Sequence, residues 1–292
     1  VIVLGAGPGL LGCAGGNEPP AAEVEPSAAA PSPISDLYAG SPYLGELRNT
    51  VVYGEIWERP QLSKRDRSLI TVAVLQALVR EELSLHIPRG LDNGLTPEEI
   101  SEIILHVTFY AGWPTGVQAS VMAAGVFEER GLSIGPLSRA PAAAQRPPAP
   151  ASATGAYAAV PRLGELRNSV LYGDVWERPQ LSKRDRSLIT VAVLQAMYRT
   201  SELRTHIGRA LDQNGVTPQE VSEVILHVTF YAGWPAAVNA GRLAAEAFEE
   251  RGVEFDVIEY LVSSLDRATL GSFCEKLGGE PSDLVRQDPH FA

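Results

Sequence analysis

The stretch DRSLITVAVLQALVR, Asp66–Arg80, decides the fold. Leu69, Ile70, Val72, Val74, Leu75 and Leu78 fall in a run that contains neither glycine nor proline and is too long for an ordinary strand, so it reads as a nearly buried helix. The same run returns as DRSLITVAVLQAMYR at Asp185–Arg199. Working outward, LGELRNTVVYGEIWERPQLSKRDRSLITVAVLQALVR (Leu44–Arg80) matches LGELRNSVLYGDVWERPQLSKRDRSLITVAVLQAMYR (Leu163–Arg199). ILHVTFYAGWP occurs unchanged at Ile104–Pro114 and Ile225–Pro235. The chain is a tandem duplication of one unit.

Each copy predicts further helices. Thr96-Pro97-Glu98-Glu99 has the form of an N-cap, a proline at the first helical position and a capping-box glutamate. The helix it opens runs through Ile100, Ile103, Ile104 and Val107 until Gly112-Trp113-Pro114 interrupts it, and Pro114 opens another, to about Arg130. The second copy repeats this from Thr217 to Arg251. Strand signals are weak, so both bodies are all-α. LSRAPAAAQRPPAPASATG between them has the composition of a linker. After Arg251, GVEFDVIEYLVSS alternates like a strand and LDRATLGSFCEKLGG like a helix, which predicts a short α+β tail.

With 24 basic against 35 acidic residues, a net charge of −11 and no basic run, the chain lacks an electrostatic footprint for nucleic acid. Two cysteines, Cys13 and Cys274, supply neither a disulfide framework nor a Cys-x-x-Cys motif. The opening VIVLGAGPGLLGC has three readings. It resembles the end of a bacterial lipoprotein signal, with Cys13 the lipidated residue, which places the protein in the cell envelope on a lipid anchor. It also reads as a disordered leader, which leaves a cytoplasmic location open. Gly7, Gly9 and Gly12 match a dinucleotide-binding turn, but no helix and second strand follow. The expected organisation is a leader at 1–13, a disordered tether at 14–42, repeat 1 at 43–131, a linker at 132–158, repeat 2 at 159–252 and the tail at 253–292.

Four of the five histidines pair between copies, His86 with His206 and His106 with His227. Glu82 lies four residues before His86, and Glu202 four before His206, so on a helix each carboxylate can touch its imidazole, orient it and raise its pKa. A structural histidine is the alternative. Glu102, His106 and Tyr110 form a stripe at helical spacing that returns as Glu223, His227 and Tyr231. Such a stripe lines a pocket or fills a core. Arg67 and Arg186, like Arg65 and Arg184, begin the buried helices, where they would hold a substrate carboxylate or a structural salt bridge. Trp113 and Trp234 read as corner packing or as a substrate wall. Each histidine has one carboxylate on its own face, so no metal site is expected.

The Arg-Asp-Arg helix start, Glu82-x3-His86, Leu91-Asp92-Asn93-Gly94, Thr96 to Ile100 and Tyr110 to Pro114, all with counterparts in the second copy, resemble the carboxymuconolactone decarboxylase family. The resemblance covers roughly 180 residues in two repeats of ~90. It implies a compact all-α, alkylhydroperoxidase-like fold whose members assemble as rings, often hexamers, with sites at subunit boundaries; three fused pairs would make a pseudo-hexamer. One branch of the family uses a Cys-x-x-Cys pair four residues before a histidine. Val79 and Glu82 stand there before His86, and Arg199 and Glu202 before His206, so Cys-dependent peroxidase chemistry is not expected. The other branch decarboxylates a lactone acid without a cofactor. That reaction needs donors for a developing oxyanion and an acid to return a proton to carbon.

The resemblance puts functional residues at His86 and His206. Glu82 and Glu202 accompany them, and Arg67, Arg186, His106, His227, Tyr110, Tyr231, Trp113 and Trp234 are the substrate-binding candidates. The expected function is cofactor-independent decarboxylation of a small carboxylated lactone or carbonyl compound. The alternative is an envelope-tethered binding or scaffold protein without turnover. The tail resembles part of an arsenate reductase-like domain but lacks its N-terminal strand and reactive cysteine, and Cys274 sits mid-helix, so reductase activity does not carry over.

Overall fold

Ser63 and Ser182 start the two central helices: each hydroxyl accepts from the backbone N–H three residues on, Asp66 or Asp185, at 3.0 Å. The computed structural model describes residues 37–135 and 157–253. The lipoprotein-like leader with Cys13, most of the tether and linker, and the tail with Cys274 lie outside the described residues.

The chain divides into two compact units at Glu46 and Leu47. Described residues of the first hold the start of helix α1, Pro42–Leu47. Described residues of the second hold the rest of repeat 1, α2 (Lys64–Ala77), α3 (Leu83–Asp92), α4 (Pro97–Ala111) and α5 (Trp113–Glu129), and all of repeat 2. Repeat 2 comprises α6 (Pro161–Leu166), α7 (Lys183–Ala196), α8 (Thr200–Gln213), α9 (Pro218–Ala232) and α10 (Trp234–Glu249). A π-helical turn followed by a short 3-10 turn leads into each central helix, Arg48–Tyr53 with Ile56–Glu58 in repeat 1 and Arg167–Leu171 with Val175–Glu177 in repeat 2. The fold is all-α, with no strand among the described residues. Among them, too, no helix is long and apolar enough to cross a membrane.

Helices α2 and α7 pack against each other, and each also contacts both α4 and α9. Residues Asp66 to Ala77 and Asp185 to Ala196 are therefore buried throughout, and the repeats share one core rather than closing two. Each leucine or isoleucine sealed there contributes roughly 1.5–3 kcal/mol. Polar groups reinforce the junction. Arg65 donates to Asp185 at 3.2 Å and to Glu99, while Arg184 donates to Asp66 at 2.9 Å and to Glu220 at 3.0 Å. Glu99 and Glu220 also close the capping boxes of α4 and α9, so the starts of four helices are tied into one network.

Two backbone features matter for the site. Gly112 (φ 97°) and Gly233 (φ 91°) allow the chain to turn from α4 into α5 and from α9 into α10. At Gly54 and Gly173 the π-turn carbonyls crowd the chain, and a Cβ would meet the oxygens of Thr50 and Ser169 at 2.5 and 2.6 Å.

Candidate active site

The π-turn puts residues five apart over one another. Arg48 thus lies over the Tyr53 ring, its Cζ 4.6 Å from the centroid, and Arg167 over Tyr172 at 4.8 Å. The 3-10 turn then inserts Trp57, almost fully buried and stacked on Tyr53 at 5.9 Å; Trp176 stacks on Tyr172 at 6.0 Å. Helix α3 adds His86 and, one turn later, Arg89, which donates to the Tyr53 hydroxyl. Helix α8 adds His206 and Arg209, which donates to the Tyr172 hydroxyl at 2.6 Å. Arg48, Tyr53, Trp57 and Arg89, with Glu58 and Lys64, line an open mouth of about 370 Å³ in repeat 1, and Arg167, Tyr172, Trp176 and Arg209, with Glu177 and Lys183, line one of about 440 Å³ in repeat 2. His86 and His206 stack on the tryptophans at 6.4 and 6.2 Å and are not part of that lining.

Behind the tryptophan of each mouth, the packing comes from the other repeat. Trp57 Nε1 donates to the Tyr231 hydroxyl at 3.0 Å, the Tyr231 ring meets His86 edge-on at 5.7 Å, and His227 meets Trp57 at 5.0 Å. In the mirror site, Trp176 donates to Tyr110 at 3.0 Å, Tyr110 meets His206 at 5.7 Å, and His106 meets Trp176 at 5.0 Å. Both sites are therefore composite, and one chain holds two of them.

Hydrogen bonding behind the wall settles a tautomer. Thr71 donates its one hydroxyl proton to the Arg67 carbonyl at 2.7 Å, so its 2.8 Å contact with His227 Nε2 is one in which the imidazole donates. His227 carries its proton on Nε2, and its buried Nδ1 lone pair has no partner among the described residues. Thr190, which bonds the Arg186 carbonyl at 2.7 Å and His106 Nε2 at 2.9 Å, imposes the same tautomer there. Deeper still, Glu223 accepts from Arg59 at 2.8 Å and Arg67 at 2.9 Å, and Glu102 from Arg178 at 2.6 Å and Arg186 at 3.0 Å. Two guanidiniums on each carboxylate leave one net positive charge behind each wall.

These surroundings keep the imidazoles neutral. Burial, then the charges of Arg89 and Arg48, push His86 down to about 4. Burial and Arg209 bring His206 to about 4 against a small opposing effect of Glu202. Burial also drives His106 and His227 well below the ordinary imidazole range, and it raises Tyr110 and Tyr231, which stay protonated. By contrast, the guanidiniums at the mouths are uncommitted to acids. Arg48 bonds the Asn49 amide oxygen at 2.8 Å and Arg89 the Tyr53 hydroxyl, and neither pairs with a carboxylate among the described residues. Arg167 and Arg209 repeat this with Asn168 and Tyr172.

Several expectations need correction. Glu82 is exposed at the N-cap of α3, where its carbonyl accepts from the His86 backbone N–H at 3.1 Å but its carboxylate makes no bond with the imidazole, and Glu202 is exposed and bonded by Ser201 at 2.8 Å. The imidazole pKa moves down, not up, because burial and the arginines outweigh a solvated carboxylate. Arg67 and Arg186 have no exposed surface and are held by Glu223 and Glu102, so they cannot reach a ligand in the mouth. Trp113 and Trp234 are 68% exposed and line neither mouth. The stripes Glu102, His106, Tyr110 and Glu223, His227, Tyr231 line neither mouth but pack behind one, in each case that of the opposite repeat.

The pattern of the Carboxymuconolactone decarboxylase family matches residues 42–124 and 161–247, one match per repeat and more than half of the chain. The chain belongs to this family. It is 49% identical over 82 residues to the 4-carboxymuconolactone decarboxylase of Acinetobacter baylyi, which is 28% of this chain and 60% of that protein. It is 37% identical over 76 residues to the nitrosuccinic acid decarboxylase of Metarhizium robertsii, 26% of this chain and 52% of that protein. The match thus spans about half to three fifths of the length of these relatives. Both are named decarboxylases.

Within this family member, Arg48, Tyr53, Trp57 and Arg89, with Arg167, Tyr172, Trp176 and Arg209, line the two mouths, and motif reading missed them as candidates. A signal existed. His-x-x-Arg stands in both copies while the residues around it change, Pro88 to Gly208 and Gly90 to Ala210.

Proposed function

We propose that the chain is a cofactor-independent carboxy-lyase acting on a small carboxylated lactone or carbonyl compound, of the kind that 4-carboxymuconolactone represents. The observation that carries this reading is the pair of guanidiniums in each mouth that no carboxylate of the described residues occupies, with a buried neutral imidazole stacked on the mouth's tryptophan. An anion is what such a mouth attracts, even on a chain of net charge −11.

The chemistry then follows from charge. Burial first, and then Arg89 and Arg48, depress His86; a bound carboxylate offsets the arginines, and the imidazole takes up a proton. The C–C bond to the departing carboxylate breaks, its electron pair spreads into the conjugated carbonyl, and neutral CO2 leaves. The positive field of the guanidiniums stabilises the delocalised anion. The imidazolium of His86, or of His206 in the second site, returns its proton to carbon and becomes neutral again. One proton is consumed per turnover.

The test is CO2 release and ultraviolet absorbance change with 4-carboxymuconolactone and a panel of β-keto acids and lactone acids. Turnover by the wild type that is lost in the His86→Ala, His206→Ala double variant, with helicity retained, supports the reading. Binding of these acids without turnover on any of them would replace it with a binding protein. We further propose that three chains associate as a pseudo-hexamer through the exposed apolar stripes of Phe109, Trp113 and Val117 and of Phe230, Trp234 and Val238. Light scattering that gives a monomeric mass would refute that assembly.

A further inference from the structure

Tyr110 and Tyr231 line neither mouth, yet each is bonded to a tryptophan that does. An indole N–H can only donate, so the Tyr231 hydroxyl accepts from Trp57 at 3.0 Å and the Tyr110 hydroxyl from Trp176 at 3.0 Å. Each phenol proton is then directed elsewhere. The other hydrogen bond of the Tyr231 hydroxyl is to the Thr71 side chain. That threonine's one proton goes to the Arg67 carbonyl at 2.7 Å, so the phenol is the donor. Tyr110 stands in the same relation to Thr190, whose proton goes to the Arg186 carbonyl at 2.7 Å. Both phenol protons therefore point at buried threonines, and neither is offered to a ligand in a mouth.

What the hydroxyls hold is the indoles. Trp57 lies nearly parallel to Tyr53, at 5.9 Å and 21°, and to His86, at 6.4 Å and 28°, so one ring ties the mouth to the imidazole. Trp176 does the same for Tyr172, at 6.0 Å and 26°, and His206, at 6.2 Å and 21°. The tyrosine ring also meets the imidazole edge-on, at 84° for Tyr231 on His86 and 81° for Tyr110 on His206. One tyrosine of the opposite repeat thus bears on the imidazole twice, directly and through the tryptophan.

We infer that Tyr231 is a positioning residue of the repeat 1 site and Tyr110 of the repeat 2 site, each acting across the repeat boundary by holding Trp57 or Trp176 and, with it, the imidazole that returns the proton. The inference rests on the carboxy-lyase reading. The tyrosines supply no proton to the reaction; His86 or His206 gives its own to carbon.

The experiment uses the full chain with one site working at a time. In a His206→Ala background, where the repeat 1 site alone turns over 4-carboxymuconolactone, Tyr231→Phe keeps the ring and removes the acceptor. Its kcat is expected to fall about tenfold with KM changed less than about twofold, because a misaimed acid slows the step without weakening binding. In that background Tyr110→Phe costs at least about threefold less kcat, and in a His86→Ala background the order of the two variants reverses. Equal losses in both backgrounds would make the tyrosines general supports of the fold, and a rise in KM at unchanged kcat would place them in the binding surface; either result overturns the inference. Nuclear magnetic resonance of the indole N–H and imidazole C–H groups separates this inference from the activity itself. Tyr231→Phe should shift the signals of Trp57 and His86, and Tyr110→Phe those of Trp176 and His206. A wild type that releases no CO2 refutes the carboxy-lyase reading. The crossed shifts would still uphold the positioning, and Trp57 and His86 signals that stay in place in Tyr231→Phe would overturn it.

Discussion

Glu223→Gln tests how the two repeats are held together behind one site. The carboxylate is wholly buried and accepts from Arg59 Nε at 2.8 Å and from Arg67 Nη2 at 2.9 Å, both in the other repeat. Arg67 Nε and Nη1 have no hydrogen-bond partner among the described residues, so without the carboxylate that guanidinium keeps only the bond of Nη2 to the neutral Arg59 carbonyl at 2.8 Å. Glutamine preserves the shape but raises the buried net charge from one to two. Leaving a buried ion unpaired costs about 3–5 kcal/mol. With an m-value of about 2–3 kcal/mol per molar urea, the midpoint falls by roughly 1–2.5 M. Glu102→Gln, which strips the same carboxylate from Arg178 and Arg186, is expected to cost as much. Urea unfolding followed by circular dichroism measures both. A loss under about 1 kcal/mol, the range of solvent-exposed ion pairs, would refute the reasoning and mean that water reaches this cluster.

Other outcomes follow from the same geometry. The unfolded chain binds protons on His86 and His206 below about 6.5, whereas the folded chain resists until about 4. Stability is therefore complete above 6.5 and falls between 6.5 and 4, by about 3 kcal/mol for each histidine; a flat stability profile across that window, with the His86→Ala, His206→Ala variant as control, would contradict the burial of the imidazoles. Binding of a non-reactive dicarboxylate near pH 6 should take up protons, measured by calorimetry in buffers of different ionisation enthalpy, and zero uptake would remove the imidazolium from the proposed cycle. Gly54→Ala drives a Cβ into the Thr50 carbonyl and should cost about 1–3 kcal/mol. It should also raise KM at the repeat 1 site, since the π-turn carries Arg48 and Tyr53; unaltered stability and kinetics would show that the turn yields freely.

Much of the fold was legible because its signals are local. The buried helix at Asp66 to Arg80 follows from an uninterrupted apolar run, and the start of α4 from the reciprocal chemistry of Thr96 and Glu99. The sites were less legible because their contacts are not local. Helical spacing suggested Glu82 as the partner of His86, but spacing cannot tell a solvated N-terminal position from a packed one. Burial acts on the imidazole first, and the charges that act on it are those of Arg89, one turn on the other side, and Arg48. Arg67 looked available for a carboxylate, and it does hold one, on Glu223 in the other repeat. Tyr53 and Arg48 sit in a π-turn, whose spacing has no signature in a 3.6-residue pattern. The opposed stripes of Tyr110 and Tyr231 became meaningful only once the duplication was seen to exchange walls.

The most direct test is to count working sites by their products. CO2 release from 4-carboxymuconolactone would be measured for the wild type, His86→Ala, His206→Ala and the double variant, all with intact helicity. Two composite, independent sites predict that each single variant keeps about half of the wild-type kcat at unchanged KM and that the double variant loses turnover. Full activity in the double variant, or no activity in the wild type, would contradict the account.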